Sequence, residues 1–307
     1  MQRRKFIRNS IATMGASVIS TGASAFNITS FQEQKTSFRL NYAPHIGMFK
    51  ELGGKSVVDQ LRFMAASGFR AFEDNEMRNR PIAEQEQMAE TMASLKMQMG
   101  VFVAHEIYWD KPNLANGDSG LRDKFLQEIE DSVTVAKRVK ARWMTVVPGH
   151  VDPRLSVGYQ TANVIESLKQ AAALLEPHGL IMVLEPLNFR DHPGMFLNRS
   201  DQAYEICKAV DSSACKILFD VYHQQIQEGN LIPNIEACWD EIAYFQMGDN
   251  PGRKEPYTGE INYQNVFKYI YSRGFDGVLG MEHGNSLSGA EGERKVIEAY
   301  RKADNFM

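Results

Sequence analysis

Beyond its first 37 residues the chain alternates between short apolar runs and longer segments with helical periodicity. Eight apolar or β-branched runs predict strands, and they lie at 38–44, 69–74, 99–105, 142–148, 180–186, 216–222, 242–248 and 277–283. Between them, segment 81–97 places Met88, Met92 and Leu95 on one face at i, i+4 and i+7, which predicts a helix. Segments 121–140 and 157–176 show the same periodicity. Such alternation is typical of a parallel sheet with crossover helices.

Eight such units favour the α/β class, and within it a single-domain (β/α)₈ TIM barrel over an open doubly wound sheet. Units of roughly 30 residues each match the closed barrel. An open sheet usually carries a glycine-rich phosphate loop after its first strand. The chain has "HIGMFKELGGKS" there, with neither GxGxxG nor GxxxxGK. We therefore predict a barrel over residues 38–307, preceded by a flexible linker at 26–37.

The first 25 residues have the pattern of a cleavable signal peptide. The basic stretch "MQRRKFIRNS" precedes a weakly apolar run of small residues that ends at Ala23-Ser24-Ala25. Its Arg3-Arg4 pair is typical of twin-arginine export, which predicts a periplasmic protein. A disordered basic tail is the alternative. Beyond this segment no 18 consecutive residues are apolar, so no membrane span is expected.

The net charge and the cysteines argue against two classes of protein, those that bind nucleic acid and those built on a disulfide framework. Loss of residues 1–25 would remove four of the 34 basic residues and none of the 38 acidic ones, leaving a formal charge of −8. Such a charge argues against binding a polyanion, so no nucleic-acid partner is expected. Cys207, Cys215 and Cys238 form no CxxC pair and are odd in number, which predicts buried thiols rather than a disulfide framework.

Four polar residues end four successive predicted strands. They are Glu185, Asp220, Gln246 and Glu282, spaced by 35, 26 and 36 residues, about one strand–helix unit each. Barrel active sites lie at strand ends, where three converging carboxylates would repel one another unless a divalent cation offset their charge. An all-oxygen ligand set suits Mg²⁺ or Mn²⁺, with Co²⁺ as a further option. The structural alternative is that each residue caps a helix or pairs with a nearby base.

Five more polar residues lie near the same strand ends. His223, Asp191 and Arg253 follow the candidate ligands by three, six and seven residues, offsets that place them above the cation, where a substrate would lie. Glu73 follows the second predicted strand and His105 the third. We take all five as candidate substrate-binding residues, although a purely structural hydrogen bond would explain each one alone.

At these residues the chain resembles the hydroxypyruvate isomerase family, within the xylose-isomerase-like superfamily of sugar isomerases and epimerases. The segments that carry the resemblance are "LEPLNFRDHPGMFL" (184–197), "LFDVYHQQIQEGNL" (218–231), "FQMGDNPGRKEPYTGEINY" (245–263) and "GVLGMEH" (277–283). The third is the most specific, because PGR, EP and TGEINY occur in register. The resemblance covers roughly residues 38–300 and leaves the N-terminal segment outside it.

The resemblance implies a TIM barrel whose divalent cation is bound by the four residues at the strand ends. It also implies that Glu185 and Glu282 are an acid/base pair, and that His223 and Arg253 bind substrate oxygens. Such a pair would move a proton between adjacent carbons through an enediolate, while the cation stabilises the negative charge. The expected reaction is the metal-dependent, aldose–ketose type isomerisation of hydroxypyruvate to 2-hydroxy-3-oxopropanoate.

Two departures from the family leave the substrate open. The usual aromatic-then-basic tail after the last glutamate is "HGNS" (283–286) here, and "EDNEMRNRP" (73–81) lacks the common Phe-Pro-Tyr.

A ketose 3-epimerase or another sugar isomerase is the main alternative. The charge of −8 argues against an endonuclease of the same superfamily. An exported sugar-binding protein would need no acid/base pair. The expected partner is a small hydroxy-carbonyl or sugar substrate, and a homo-oligomer is left open.

Overall fold

The computed structural model describes residues 37–307, which form an α/β barrel. Its strands are β1 Tyr42–Pro44, β2 Ala71–Phe72, β3 Gln98–Met99, β4 Trp143–Val146, β5 Ile181–Leu184, β6 Cys215–Asp220, β7 Ile242–Gln246 and β8 Leu279–Met281. Its helices are α1 Lys50–Gly53, α2 Val57–Ala66, α3 Ile82–Leu95, α4 Ser119–Val139, α5 Val157–Leu175, α6 Ser200–Val210, α7 Val221–Gln227, α8 Leu231–Ala237, α9 Tyr263–Ser272 and α10 Gly289–Ala303.

The strands are parallel and close into a ring. Six form one sheet in the order β1-β8-β7-β6-β5-β4, and β2 pairs with β3. Single parallel bridges join the two sheets on both sides, from His45 to Glu73 and from Val103 to Thr145. Each of the eight predicted strand segments overlaps one observed strand, so the barrel prediction is confirmed and the open sheet is excluded.

The barrel interior is filled in layers. One layer is apolar and takes one residue from each strand or its flank: Ala43, Ala71, Val101, Trp143, Val183, Leu218, Tyr244 and Val278. Because side chains alternate along a strand, the residue two positions later faces the same way. This second layer, called the ligand layer below, includes Glu73, Thr145, Glu185, Asp220, Gln246 and Gly280. The polar groups of the candidate site therefore rest on an apolar floor.

The helices pack one apolar face against the sheet. In α4, the buried Phe125 and Ile129 are four residues apart on that face. Asp118 caps the same helix, because its side chain accepts the main-chain N–H of Leu121 at 2.9 Å. The three helices predicted from periodicity are confirmed as α3, α4 and α5, within a few residues at each end.

The remaining predictions concern the N-terminal segment, the cysteines and membrane spans. The predicted signal peptide, 1–25, and nearly all of the linker, 26–37, lie outside the described residues. Cys207, Cys215 and Cys238 are buried free thiols, as expected. Within residues 37–307, no helix is both long enough and apolar enough to cross a membrane.

Candidate active site

The four predicted metal ligands stand at the ends of neighbouring strands, β5 to β8, in one sheet. Asp220 of β6 is in register with Gln246 of β7. Glu185 directly follows β5, and Glu282 directly follows β8. Parallel register therefore brings together four residues that are far apart in sequence, as the strand-end argument predicted.

The carboxyl groups of Glu185 and Asp220 are poorly solvated. Glu185 is 8% exposed and Asp220 is 0% exposed. Burial raises the pKa of Glu185 well above its usual range, and the charges of Glu282 and Asp220 raise it further. Burial also raises the pKa of Asp220, while the Arg253 guanidinium opposes that shift. Both carboxyl groups thus need positive charge beside them to stay ionised.

Arg253 supplies one such charge. Its Nη2 donates to Asp220 Oδ2 at 2.7 Å and to Glu282 Oε2 at 2.5 Å. Its guanidinium also lies over the Tyr222 ring, 4.9 Å from the centroid. One nitrogen therefore links the ends of β6 and β8. The role of Arg253 as a clamp for a substrate anion stays a prediction.

His223, in the first turn of α7, is directed at the same carboxyl groups. Its Nε2 lies 3.6 Å from Glu185 Oε1 and 3.5 Å from Asp220 Oδ2. Its Nδ1 accepts the main-chain N–H of Asn188 at 3.3 Å, which assigns the proton of the neutral ring to Nε2. Burial lowers the pKa of His223 to about 3, so the ring is neutral at pH 7. His223 thus presents an N–H donor, which suits contact with a substrate oxygen.

Asp249 organises the loop that carries Arg253, a role that the sequence did not predict. Its carboxyl is fully buried and accepts the main-chain N–H groups of Gly259 at 2.9 Å and Ile261 at 3.1 Å. A Cβ at Gly259 would overlap the main-chain oxygen of Asn250, so the loop needs glycine there. The "GDNPGR" segment therefore folds back over the strand end through one carboxylate.

Two other predicted substrate-binding residues, Asp191 and His105, have hydrogen-bond partners other than Glu185, Asp220 and Glu282. Asp191 is exposed, and its Oδ2 accepts the Tyr222 hydroxyl at 2.8 Å. His105 is buried, its Nδ1 lies 2.9 Å from the main-chain oxygen of Glu106, and its Nε2 accepts the N–H of Val147 at 3.2 Å. Both ring nitrogens of His105 thus have backbone partners. Substrate binding by either residue stays a prediction.

Glu73 lies deeper than a substrate-binding role would suggest. It is 1% exposed, and its Oε2 accepts the Tyr244 hydroxyl from the apolar floor at 2.9 Å. Burial raises its pKa well above the usual range, and the charge of Glu282 adds to that shift. Glu73 therefore belongs to the ligand layer rather than to the loops above it.

The structure adds Asn75 to the site. Its Nδ2 donates to Glu282 Oε1 at 2.8 Å, so Asn75 and Arg253 together hold both oxygens of that carboxylate. Asn75 lies in the turn after β2, two positions beyond Glu73.

The unusual "HGNS" segment is held in place by hydrogen bonds to a buried carboxylate and by an aromatic stacking contact. The hydroxyl and the main-chain N–H of Ser286 both donate to the buried carboxylate of Glu255, the second at 2.9 Å. His283 stacks on the Tyr300 ring, with 5.7 Å between centroids. The segment is therefore tied to the Arg253 loop and to α10.

A profile of the xylose isomerase-like TIM barrel family matches residues 61–303. The chain belongs to this family. It is 31% identical over 164 residues to the hydroxypyruvate isomerase of Escherichia coli (strain K12), across 53% of this chain and 64% of that one. It is 38% identical over 122 residues to the 2-oxo-tetronate isomerase of Cupriavidus necator, across 40% of this chain and 47% of that one. The matches span about half to two thirds of the length of these curated relatives.

The fold of this xylose isomerase-like chain is also that of solved structures. The crystal structure of AP endonuclease, family 2, from Brucella melitensis matches with a TM-score of 0.73 and 24% identity, over 82% of this chain and 96% of that one. At that identity the likeness establishes the barrel and leaves the chemistry to the site residues.

The site of this family member fits a divalent cation. Glu185, Asp220 and His223 each offer a potential ligand atom within 4.8 Å of the others. Gln246 Oε1 is buried and has no hydrogen-bond partner among the described residues. Because the proton of His223 occupies Nε2, the oxygens of the carboxylates and of Gln246 form the better donor set, and they suit Mg²⁺ or Mn²⁺. The four individual ligand assignments, Glu282 included, stay predictions.

Proposed function

We propose that this chain is a metal-dependent isomerase that interconverts hydroxypyruvate and 2-hydroxy-3-oxopropanoate. The observation that carries the proposal is the convergence of two glutamates, Glu185 and Glu282, beside one arginine. Arg253 bonds to Glu282, and Glu185 lies within reach of the same His223 and Asp220 cluster. A site with two carboxyl groups and a fixed cation can move a proton between adjacent carbons.

The residues of this chain would take separate roles in proton transfer and in substrate binding. One glutamate removes a proton from the hydroxymethyl carbon, and the other returns a proton to the neighbouring carbonyl carbon, with an enediolate between the two steps. The hydroxyl proton passes between the adjacent oxygens, where the Nε2–H of His223 can donate. A bound divalent cation would supply Lewis-acid stabilisation of the enediolate charge. Arg253 pairs with the substrate carboxylate.

The relatives support a 2-oxo acid as substrate. The names of both, hydroxypyruvate isomerase and 2-oxo-tetronate isomerase, denote enzymes of hydroxylated 2-oxo acids. A substrate of that class carries a carboxylate, for which Arg253 offers a guanidinium on a side chain that is 28% exposed. The 2-oxo-tetronate is the second candidate, favoured by the higher local identity of 38%. A ketose 3-epimerase remains the third.

A proton-exchange screen tests these candidates together. The purified protein, loaded with Mg²⁺ or Mn²⁺, is incubated in D₂O with hydroxypyruvate, 2-oxo-tetronate and a panel of ketoses, and deuterium is located by NMR. Isomerisation labels the carbon that receives the returned proton, whereas 3-epimerisation labels carbon 3 of the ketose. Absence of label in all substrates would overturn an isomerase or epimerase function and leave the binding protein as the better hypothesis.

We also propose that the protein is exported through its twin-arginine segment. The Arg3-Arg4 pair ahead of the small-residue run supports this. Replacing both arginines with lysine should leave the precursor in the cytoplasm, as measured by cell fractionation. Mature protein that still reaches the periplasm would overturn the assignment.

A further inference from the structure

The side chain of Asn188, in the loop after β5, is held in one orientation. It is 0% exposed, and its Oδ1 accepts the main-chain N–H groups of Arg190 and Asp191, each at 3.0 Å. An amide has one acceptor end and one donor end, so these two bonds leave the Nδ2 group for partners elsewhere. The backbone of the loop therefore decides which end of the amide faces the site.

The Nδ2 group of Asn188 has two partners. It lies 2.6 Å from His223 Nδ1, and it donates to Asp191 Oδ2 at 3.0 Å. The main-chain N–H of Asn188 is also directed at His223 Nδ1. Because this ring nitrogen faces two donors, it must accept, and the proton of the neutral ring belongs on Nε2.

His223 Nε2 is the end of the ring that faces the carboxyl groups. It is buried and has no hydrogen-bond partner among residues 37–307, although Glu185 Oε1 and Asp220 Oδ2 lie 3.6 and 3.5 Å away. With a proton, Nε2 can donate to a substrate oxygen. Without one, its lone pair could bind a cation, since His223 is one of three residues whose potential ligand atoms lie within 4.8 Å of one another. The tautomer thus decides between two roles.

We propose that Asn188 is a positioning residue, which keeps the proton of His223 on Nε2 and so makes His223 a hydrogen-bond donor and excludes it from the metal coordination sphere. Only the contact of this donor with a substrate oxygen rests on the proposed function. Neutral imidazole is a good ligand for Zn²⁺, whereas carboxylate and amide oxygens suit Mg²⁺ or Mn²⁺. Asn188 therefore favours the second group of metals at this site.

The first test exchanges the two side chains that meet at Asn188 Nδ2. The double variant Asn188→Asp/Asp191→Asn keeps the net charge and places a carboxylate oxygen where an N–H group faces His223 Nδ1. A carboxylate accepts from Nδ1–H in a charge-assisted bond, so the proton should move from Nε2 to Nδ1. The ¹⁵N chemical shifts of the ring nitrogens measure this in the metal-free full-length protein labelled with ¹⁵N-histidine.

Two single variants complete the NMR experiment. His223→Gln identifies the signals of His223 by their loss. Asp191→Asn is the matched control and should keep the wild-type tautomer, because its amide oxygen can still accept from Asn188 and from the Tyr222 hydroxyl. Thermal unfolding of each metal-free variant monitors the fold.

The second test measures the binding of Zn²⁺ alone and of Mn²⁺ alone to the same metal-free proteins by isothermal titration calorimetry. Outer partners of metal ligands typically change metal affinity by about 10–100-fold. We therefore expect the ratio of Zn²⁺ to Mn²⁺ affinity to rise by about 10–100-fold in the double variant. A merely structural role of Asn188 would weaken the binding of both metals alike and leave the ratio unchanged.

The outcomes are distinct. A proton on Nε2 in the wild type and on Nδ1 in the double variant, together with the change in metal preference, supports the inference. A wild-type proton on Nδ1, an unchanged tautomer in the folded double variant, or a shifted tautomer without a change in metal preference overturns it. None of these measurements requires turnover, so the isomerase function stands or fails separately in the D₂O screen.

Discussion

Arg253 holds Glu282 at two points, through the side chain and through the backbone. Its Nη2 donates to Glu282 Oε2 at 2.5 Å, and its Nε donates to the Glu282 main-chain oxygen at 3.0 Å. The loop after β7 therefore fixes both the position and the direction of the carboxylate at the end of β8. The proposed acid/base glutamate depends on a residue from a different strand–helix unit.

Arg253→Lys should reduce activity because a lysine has one nitrogen and cannot make both contacts. Loss of a hydrogen bond to a charged group costs about 1.5–3 kcal/mol, so kcat/KM should fall roughly 10–100-fold. Steady-state kinetics with hydroxypyruvate measure this. Arg62→Lys, on the exposed side of α2, is the control and should retain full activity. Unchanged kinetics in Arg253→Lys would remove Arg253 from the site.

Glu185→Gln and Glu282→Gln separate a catalyst from a binding protein. Glutamine keeps the shape and one oxygen donor but cannot accept a substrate proton at neutral pH. Since positioned acid/base groups contribute about 10²–10⁴-fold, turnover should fall by at least that much in each variant. Metal is supplied in excess, because both changes weaken a predicted ligand.

The control for this pair is Glu166→Gln on the outer face of α5, where the exposed Glu166 accepts from Gln170 Nε2 at 2.7 Å. Deuterium exchange and substrate binding are measured in parallel for all variants. If both site variants turn over hydroxypyruvate and every ketose at wild-type rates, the acid/base assignment must be abandoned.

His105 should make stability fall toward acid pH. Burial lowers its folded-state pKa from 6.5 to about 4, so the unfolded chain takes up a proton in that window and the folded protein does not. The stabilising contribution is complete above pH 6.5 and is lost as the pH falls toward 4. The full difference amounts to about 3 kcal/mol.

Urea unfolding of wild type and His105→Gln at pH 7 and pH 4 measures this contribution. The wild type should lose about 3 kcal/mol more than the variant between the two values. The comparison of pH dependence cancels any constant cost of the substitution itself. Equal losses in both proteins would show that His105 does not titrate in this way.

Gly280→Ala should destabilise the folded protein, because the new Cβ would overlap Glu73 Oε2. Overpacking of this kind typically costs about 1–3 kcal/mol, which thermal unfolding detects readily. The double variant Gly280→Ala/Glu73→Ala should recover part of the loss. Gly158→Ala is the control, since no atom of residues 37–307 lies within 4 Å of a Cβ there. Equal melting temperatures for Gly280→Ala and wild type would contradict the placement of Glu73.

The sequence by itself determined the barrel and the strand ends of the site. Eight apolar runs separated by helical segments leave few alternatives to a parallel sheet covered on both faces. The polar residues that end four of these runs must meet, because parallel strands bring their carboxyl ends to one rim. Both conclusions depend on patterns that are local in sequence, and the observed β5 to β8 agree with them.

The tertiary structure alone decided how the polar groups share the site. Strand register placed Gly280 beside Gln246 and left space for Glu73, a contact across 207 residues that no local pattern encodes. The main-chain N–H of Asn188 set the tautomer of His223 and made it a donor. Such roles follow from which atoms meet in a crowded interior, because each buried polar group must find a partner among its neighbours there. The sequence supplies the residues, but packing chooses their partners.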